Sequence, residues 1–305
     1  MQVSLLSDPR EFASVCAAWL AADPCGTSAI SIPLDGVLRG LRPQGSDTRW
    51  VVAAQGAQVL GGALYASPVQ LFLPRLPAGV AAQIAGRLLD TRRPVLGVHG
   101  ERLAAREFAR AWSARSGGTS RLTMALRLYR LSRLRVGPSV SGAARIADGE
   151  EREVVTRWLR EFHAEATPDQ RHEPVDDAAE RRLRARQLWL WWDGGEPVSL
   201  AGRSALVSLA GHGAPSTGLA RIGPVYTPPE HRRHGYGAAV TAAATGAALD
   251  DGASAVVLYA DLANPTSNSI YPAIGYVRDH DAEERRLLPA APGAEDPGLA
   301  ELRPR

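Results

Sequence analysis

The sequence predicts two mixed α/β domains in one chain. The first observation is length, since 305 residues with 45% hydrophobic and 22% charged side chains are enough for two globular domains of common size. The second is a break between Leu134 and Ala144, where hydrophobic periodicity is lost and Gly, Pro and Ser accumulate. The third is the order of elements after that break, in which helices precede a hairpin and then strands and helices alternate.

The second half begins with an amphipathic helix at Asp148–Phe162, with Asp148 as its N-cap and acidic residues in its first turn. A hairpin is predicted between Trp189 and Val198 around the turn Asp193-Gly194-Gly195. The remaining predicted helices are Asp177–Arg186, Gly235–Leu249 and Asn268–Ile274, and the remaining strands are Val207–Ala210, Ala220–Thr227, Ala255–Ala260 and Tyr276–Val277.

Composition excludes several classes of protein. Cys16 and Cys25 cannot form a disulfide framework, and seven scattered histidines give no zinc-ligand spacing, so no metal is expected. A net charge of +3 is small for this length, and nucleic acid is not needed to explain it. The first residues lack the pattern of a signal peptide and no apolar run is long enough to span a membrane, so we expect a cytoplasmic protein without a membrane partner.

The segment from Val225 to Ala238 (VYTPPEHRRHGYGA) carries the clearest chemistry. A strand ends at two prolines, and a loop with Gly235 and Gly237 then enters a long helix. Such a loop allows backbone N–H groups to close on an anion, to which the helix N-terminus and Arg232 and Arg233 add positive charge. Taken alone, the loop is also consistent with glycines placed for packing. It is neither a Walker loop nor a Gly-x-Gly-x-x-Gly dinucleotide loop.

These residues resemble the Arg/Gln-x-x-Gly-x-Gly/Ala motif of the GNAT superfamily of N-acetyltransferases. The later segment ADLANPTSNSIYPAIGYV, at residues 260–277, is similar to the second half of that family's signature. The resemblance implies domains with a mixed, mostly antiparallel sheet flanked by helices, and acetyl-CoA as cosubstrate. It assigns the pantetheine arm to the strand residues and the pyrophosphate to the loop, and the implied contacts are Val225, Tyr226, Thr227, Arg232, Arg233, His234, Gly235, Tyr236, Gly237 and Ala238.

In the same family a tyrosine lies near the cofactor sulfur, and Tyr271 occupies that position. The resemblance implies that Tyr271 stabilises the departing thiolate as a general acid or hydrogen-bond donor. Asn264 would hold the pantetheine arm, and Ser267 would either cap the next helix or contact the cofactor. The alternative for Tyr271 is an aromatic residue of the core.

The general base is less well marked, because Leu219–Pro224 has no carboxylate where many relatives have a glutamate. The candidates are Glu161, His163 and Glu165 at the end of the first helix of this half, together with His212; each is also consistent with an ordinary surface residue. The family places this helix end beside the acceptor site. The tryptophans Trp189, Trp191 and Trp192 could line a pocket, although alternation in a hairpin places at least one in the core.

The first half shows a weak echo of the second. Residues 50–59 (WVVAAQGAQV) resemble the hairpin of the second half, and a strand at Val95–Val98 and a helix at Glu101–Ala114 follow. Between a strand near Val69–Leu73 and a helix at Val80–Leu89 the segment PRLPAGVAAQIAG lacks the motif. The helix at Glu101–Ala114 has Phe108 and Trp112 but no tyrosine. We therefore predict a degenerate GNAT-like domain that binds no cofactor and helps to shape the acceptor pocket.

The predicted domains are 1–136 (degenerate), 141–288 (catalytic) and 289–305 (a flexible tail rich in Pro, Gly and Ala). The predicted activity is acetyl-CoA-dependent N-acetylation of a small-molecule amine by direct attack in a ternary complex. A non-catalytic acyl-CoA-binding or regulatory protein is the alternative, and a nucleic-acid-binding protein ranks last. The sequence does not decide between a monomer and a homodimer.

Overall fold

The computed structural model describes residues 1–66, 70–135, 139–166, 174–194 and 206–290. The chain forms two compact units. The first contains Met1–Leu126 and the residues from His280 onward, and the second is Arg127–Asp279. Two long strands contribute residues to both units.

The elements of the first half follow the order β1 (Gln2–Leu6), α1 (Pro9–Val15), α2 (Ala17–Ala22), α3 (Ser28–Leu38), β2 (Arg49–Gln55), β3 (Gln58–Ala66), β4 (Gln70–Leu73), α4 (Val80–Asp90), β5 (Gly97–Glu101), α5 (Arg102–Ser116) and β6 (Thr119–Leu131). In this unit the strand order is β1-β2-β3-β4-β5, followed by the end of the last strand of the chain and then β6. β4 and β5 are parallel, whereas β1 to β4 pair in antiparallel fashion.

The sheet of the first unit carries a hydrophobic core on each face. One core joins the strands to α4 and α5 through residues such as Ile84 and Phe108. The other contains Phe12 of α1 and Ile30 of α3, packed with Trp50 of β2. The predicted hairpin with glycine at its turn is confirmed as β2 and β3. The sequence analysis did not predict β1, α1 to α3 or β6.

The second half contains β7 (Ala143–Ile146), α6 (Arg152–Ala166), α7 (Val175–Arg184), β8 (Leu188–Trp192), β9 (Leu206–His212), β10 (Leu219–Tyr226), α8 (Tyr236–Asp250), β11 (Ala255–Asp261), α9 (Pro265–Ala273) and β12 (Tyr276–Leu288). In the second unit the strand order is β7-β8-β9-β10-β11-β6-β12. Helices α8 and α9 contribute to the core on one face, and α6 and α7 contribute to the core on the other. The unit is therefore a mixed sheet between two helical layers, as predicted.

Local sequence explains where the helices of this unit begin. Asp148 and Glu151 form a reciprocal capping box ahead of α6, so the predicted N-cap is confirmed.

The partner of β8 differs from the prediction. β8 pairs with β9, the predicted third strand, and with β7, while the predicted hairpin partner before Val198 lies outside the described residues. Trp189 and Trp191 pack against the α8 core, and Trp192 packs against the α6 core.

The division of the chain differs from the predicted boundaries. The sequence analysis placed residues up to 288 in the second domain, but β12 from His280 onward belongs to the first unit and pairs with β5 there. The first boundary likewise falls within β6, ahead of the predicted linker. β12 extends to Leu288, immediately before the predicted tail at 289–305, and residues 291–305 of that tail lie outside the described part.

The physical reason is a set of buried ion pairs. Glu283 is only 2% exposed and accepts hydrogen bonds from Arg106 of α5 at 2.8 Å and from Arg285 at 2.7 Å. Asp281 pairs with Arg102 of the same helix at 2.5 Å. A charged stretch such as HDAEERR is typical of a solvated surface, and only its tertiary partners allow it to enter a sheet.

We expect Glu283→Gln to lower the free energy of unfolding of the first unit by about 2 kcal/mol at pH 7, because it leaves two arginines without their carboxylate. Burial raises the pKa of Glu283, but hydrogen bonds and charge from Arg106 and Arg285 outweigh it and hold the pKa below its ordinary 4.5. The stabilisation by the ionised Glu283 carboxylate is therefore fully present above pH 4.5. It is lost as the pH falls through the lowered pKa of Glu283.

Urea denaturation at pH 7 and at several pH values below 4.5 measures this effect. The matched control is Glu153→Gln, an exposed glutamate on α6, which should change stability by less than about 0.5 kcal/mol. An equal loss at every pH would contradict a role for the ionised carboxylate.

Candidate functional site

The second unit has a slot between two parallel strands. β10 pairs with β11 at only three positions, from Leu219↔Ala255 to Arg221↔Val257, although β10 continues to Tyr226 and β11 to Asp261. Beyond that last pair the facing strand edges have no ladder partner among the described residues. Such edges present backbone N–H and C=O groups to an extended ligand that carries amides of its own.

The other edge of β10 stays attached to β9, with a register shift between Ile222 and Val225. Gly223 there has φ of 145°, and Pro224 has no N–H to donate to a ladder. Pairing then resumes, with Val225 opposite Ala210 and Tyr226 opposite Leu209. The strand is thus distorted at the level where the slot begins.

A tight loop connects β10 to α8. It contains a short 3-10 turn at Pro229–His231 and two residues with positive φ, Arg233 at 66° and Gly235 at 87°. The first helical hydrogen bond of α8 runs from the Ala239 N–H to the Gly235 carbonyl, so the N–H groups of residues 236–238 have no acceptor within the helix. These donors and the helix dipole form a site for an anion.

Close packing explains the second glycine. A Cβ atom at Gly237 would lie 3.3 Å from Thr227 Oγ1 and 3.9 Å from the end of Ile270. Thr227 is itself held by Ser208, whose hydroxyl lies 2.8 Å from Thr227 Oγ1 and donates to the Tyr226 carbonyl at 3.0 Å. The end of β10 and the start of α8 therefore fit together only with a small residue at position 237.

Side chains hold the loop in place. Arg232 donates through Nε to the Thr227 carbonyl at 2.9 Å and through its terminal nitrogen to Glu165 of α6 at 2.7 Å. The Tyr236 phenol donates to Asp193, and this bond lowers the pKa of the Asp193 carboxyl. His234 stacks on Tyr236 at 5.6 Å between ring centroids, and Arg233 is exposed with no ion pair to the described residues. Two cations therefore flank the anion site.

Tyr271 lies in α9 and is 5% exposed. Its ring packs on Tyr129 at 5.9 Å and Tyr276 at 6.2 Å. Burial raises the pKa of Tyr271 to about 12, and a hydrogen bond with the Ser267 hydroxyl offsets part of this rise. Tyr271 is thus both an aromatic residue of the core and a phenol that stays protonated at neutral pH.

The start of α9 assigns the helix cap. Asn264 is the N-cap, and its side-chain oxygen accepts the Ser267 N–H at 3.0 Å. Ser267 is therefore the capped residue and not the cap. This excludes the predicted capping role of Ser267 and leaves its predicted contact with the cofactor as a prediction. Asn268, which the sequence analysis did not single out, joins the Tyr129 phenol at 3.0 Å to the Asp261 carbonyl at 2.8 Å. This network fixes α9 against the end of β11.

The base candidates on α6 lie beside the end of β10. The Tyr226 phenol donates to Glu165 at 3.4 Å and also hydrogen-bonds Glu161. Burial raises the pKa of the Tyr226 phenol, and the two carboxylates raise it further. The ring of His163, on the same helix, lies 5.7 Å from the Phe162 ring and is tilted by 56° to it. The structure thus brings Glu161, Glu165 and the loop before α8 together through Tyr226 and Arg232.

His212 is placed elsewhere. It is the last residue of β9, is buried, and lies 3.9 Å from Asp251 at the C-terminal end of α8. α6 packs on the opposite face of the sheet. His212 therefore lies at the end of a strand and does not join the other base candidates.

Two charged residues near the slot were not predicted. Asp193 was assigned only to a turn, and no local pattern marks its bond to Tyr236. Arg221 is a charged residue inside the apolar strand LARIGPV, which is an unusual position for arginine and could have been noticed.

The corresponding strands of the first unit are closed. All four residues of β4 pair with β5, from Gln70↔Gly97 to Leu73↔Gly100. A Cβ atom at Gly100 would lie 2.4 Å from the Leu73 carbonyl oxygen, which shows how closely the two backbones approach. Phe108 and Trp112 of α5 are both buried in the core of this unit.

An open strand edge that leads to an anion-binding helix N-terminus defines an α/β ligand-binding unit. Residues 152–276 match the acetyltransferase (GNAT) family. This part of the chain is therefore a GNAT acetyltransferase domain. No curated protein matches the chain in sequence.

Solved structures extend the likeness to most of the chain. A GCN5-related N-acetyltransferase from Sphaerobacter thermophilus has 17% identity and a TM-score of 0.59 over 94% of this chain and 96% of its own. A tandem GNAT protein from the clavulanic acid biosynthesis pathway has 16% identity and a TM-score of 0.53, covering 97% and 99%. A GCN5-related N-acetyltransferase from Kribbella flavida has 20% identity and a TM-score of 0.52 over 90% of this chain and 99% of its own. At these low sequence identities, the structural likeness shows the fold alone. By that likeness the N-terminal region is also GNAT-like.

In the described part of the chain, no helix combines the length and hydrophobicity that a membrane span requires. No group of three or more His, Cys, Asp or Glu side chains in these ranges is arranged to hold a metal ion.

Proposed function

We propose that this protein is an acetyl-CoA-dependent N-acetyltransferase that transfers an acetyl group directly to the amine of a small molecule. The slot between β10 and β11 is the observation that carries the proposal, because it ends at the anion-binding start of α8. The pantetheine arm would pair with the free edge of Val225–Thr227. The pyrophosphate would accept hydrogen bonds from the N–H groups of residues 236–238. The bound thioester supplies the activated acetyl group.

The loop side chains would add charge to that site. Arg232 and Arg233 would face the phosphates, with His234 and Tyr236 fixing the loop conformation. Gly235 and Gly237 would leave room for the anion, and Ala238 would supply the last free N–H. The Asn264 side chain already caps α9, so its contact with the arm would come from the remaining amide group.

Tyr271 would donate a hydrogen bond to the departing sulfur. Its raised pKa supports donation without full proton transfer, because the phenolate is disfavoured in the core. The cysteines support direct transfer, since both lie in the first half and burial raises the pKa of Cys16 to about 12. The Cys16 thiol would therefore stay protonated at neutral pH and would not act as a nucleophile.

Glu165 is the proposed general base, with His163 and Glu161 as neighbours able to act directly or through water. Its carboxylate bonds Arg232, which would turn toward a bound pyrophosphate and release Glu165 for proton transfer. The proposed role of the first unit is structural, and the closed pairing of β4 with β5 supports the absence of a second cofactor site there.

Thiol release tests the proposal. The protein is incubated with acetyl-CoA and a panel of amino acids, amino sugars, polyamines and aromatic amines, and free CoA thiol is followed with a chromogenic thiol reagent. We expect release that depends on the amine and an acetamide product by mass spectrometry. Binding of acetyl-CoA in calorimetry without any amine-dependent release would instead support a non-catalytic acyl-CoA-binding protein, and the absence of binding would refute both.

A further inference from the structure

Arg221 lies in the middle of strand β10 at the closed end of the slot. It forms the last parallel pair with β11, opposite Val257. Its neighbours Ala220 and Ile222 belong to the core that contains α8. Because side chains alternate along a strand, Arg221 projects from the other face of the sheet, the face covered by α6 and α7.

Arg221 keeps some solvent exposure as a residue, but two nitrogens of its guanidinium group are buried with little compensation. It lies over the Tyr259 ring at 5.4 Å, and its Nε and one terminal nitrogen are buried without a hydrogen-bond acceptor among the described residues. Burial lowers the pKa of Arg221, and the opposing influence comes from Tyr259 rather than from any carboxylate in the described ranges. An arginine nevertheless keeps its charge in proteins.

A second guanidinium lies close by. Arg182 of α7 donates to the Gly223 carbonyl at 3.1 Å, two residues along the strand from Arg221. Gly211 of β9 is needed here, since a Cβ atom would lie 3.0 Å from the same Arg182 nitrogen. The distorted part of β10 therefore has positive charge beside it, where many GNAT relatives carry the glutamate that this chain lacks.

An unpaired buried cation is costly for a folded protein, and it is retained most readily where a ligand supplies the missing anion. We propose that Arg221 binds a carboxylate carried by one of the two substrates, either the amine acceptor or the acyl chain. This inference rests on the proposed function, because the acyl end of a cosubstrate whose pyrophosphate lies at the start of α8 would point toward the closed end of the slot.

Stability gives a readout that needs no turnover. Arg221→Met keeps the length of the side chain and removes its charge, so we expect the unfolding midpoint of the ligand-free protein to rise by about 2–4 °C. Sodium succinate at millimolar concentration should raise the midpoint of the wild type and not that of the variant. Arg221→Lys keeps the charge and should retain part of the succinate effect.

Turnover identifies which substrate carries the carboxylate. For the acceptor, amino acids are compared with their amides. The amines of the amides are less basic, so more of each is neutral, and without recognition of the carboxylate the amides would react faster. For the acyl chain, succinyl-CoA is compared with butyryl-CoA. In one of these pairs we expect a preference for the carboxylate on the order of 100-fold in kcat/KM, falling to within about threefold in Arg221→Met.

The outcomes separate the two proposals. Absence of amine-dependent thiol release with every thioester would refute the acetyltransferase, while the succinate-dependent shift would still support the carboxylate site. Turnover without preference in either pair, together with no effect of succinate, would overturn the role of Arg221. A lower midpoint in Arg221→Met with equal losses on acid and amide would also overturn it, because a structural arginine behaves in that way.

Discussion

Replacing Gly235 by aspartate is expected to weaken acetyl-CoA binding at least 100-fold. Gly235 has φ of 87° and precedes the free N–H groups of α8. An aspartate there would place a carboxylate where the pyrophosphate should bind, so that two anions would compete for one set of donors. Isothermal titration calorimetry with acetyl-CoA measures the loss.

Gly235→Asn is the matched control, because asparagine has the same shape, tolerates the left-handed conformation and carries no charge. We expect it to weaken binding by about fivefold, from backbone strain alone. If the aspartate variant and the wild type bind acetyl-CoA with equal affinity, the loop is not part of the cofactor site. Equal losses in the two variants would mean that shape and not charge is responsible.

The second large effect is expected from Tyr271→Phe. Removing the phenol should lower kcat by about 100-fold to 1000-fold, the cost of losing one preorganised donor to a developing anion, with acetyl-CoA affinity changed less than about twofold. With a phenol pKa of about 12 and a thiol reference near 8.5, complete proton transfer would cost about 5 kcal/mol, so a hydrogen bond is the role to test.

Tyr276→Phe is the control for this experiment. Tyr276 is also buried, packs on Tyr271, and hydrogen-bonds Thr245 at 2.7 Å. It should lose about 1 kcal/mol of stability and keep its kcat. An unchanged kcat in Tyr271→Phe would exclude the phenol from the reaction.

The raised pKa of Tyr271 adds a pH prediction. A phenol whose folded pKa is near 12 remains protonated when the unfolded chain begins to ionise near 10, so this contribution to stability is present below that value and is lost as the pH rises. The kcat of the wild type should show no alkaline decrease due to Tyr271 up to about pH 10. A decrease centred near pH 10 that disappears in Tyr271→Phe would mean that the phenol is more exposed than its packing indicates.

Local patterns predicted most elements of the second unit because the necessary information lies within short stretches. Asp148 caps the short turn that leads into α6 through neighbours only three residues away, and runs of mostly apolar residues mark β10 and β11. The loop at 232–238 was predicted for the same reason, since the glycines, the arginines and the helix start are adjacent in the chain.

Contacts between distant residues were not predictable in this way. The pairing of Tyr226 with Glu165, and of Arg232 with the same carboxylate, joins residues more than sixty positions apart, the sequence separations being 61 and 67. The burial of Glu283 depends in the same way on Arg106, which is 177 positions away. No local pattern distinguishes a carboxylate with such a partner from one that faces water.

The sequence by itself determined that the second half is a GNAT-like unit with an anion-binding loop and a tyrosine in α9, because these features are encoded by neighbouring residues. Tertiary structure decided that β10 and β11 separate after Arg221 and that β12 ends in the first unit. It also decided that Arg221 is a buried cation without a carboxylate partner among the described residues, since strand pairing and burial arise only when distant segments pack together.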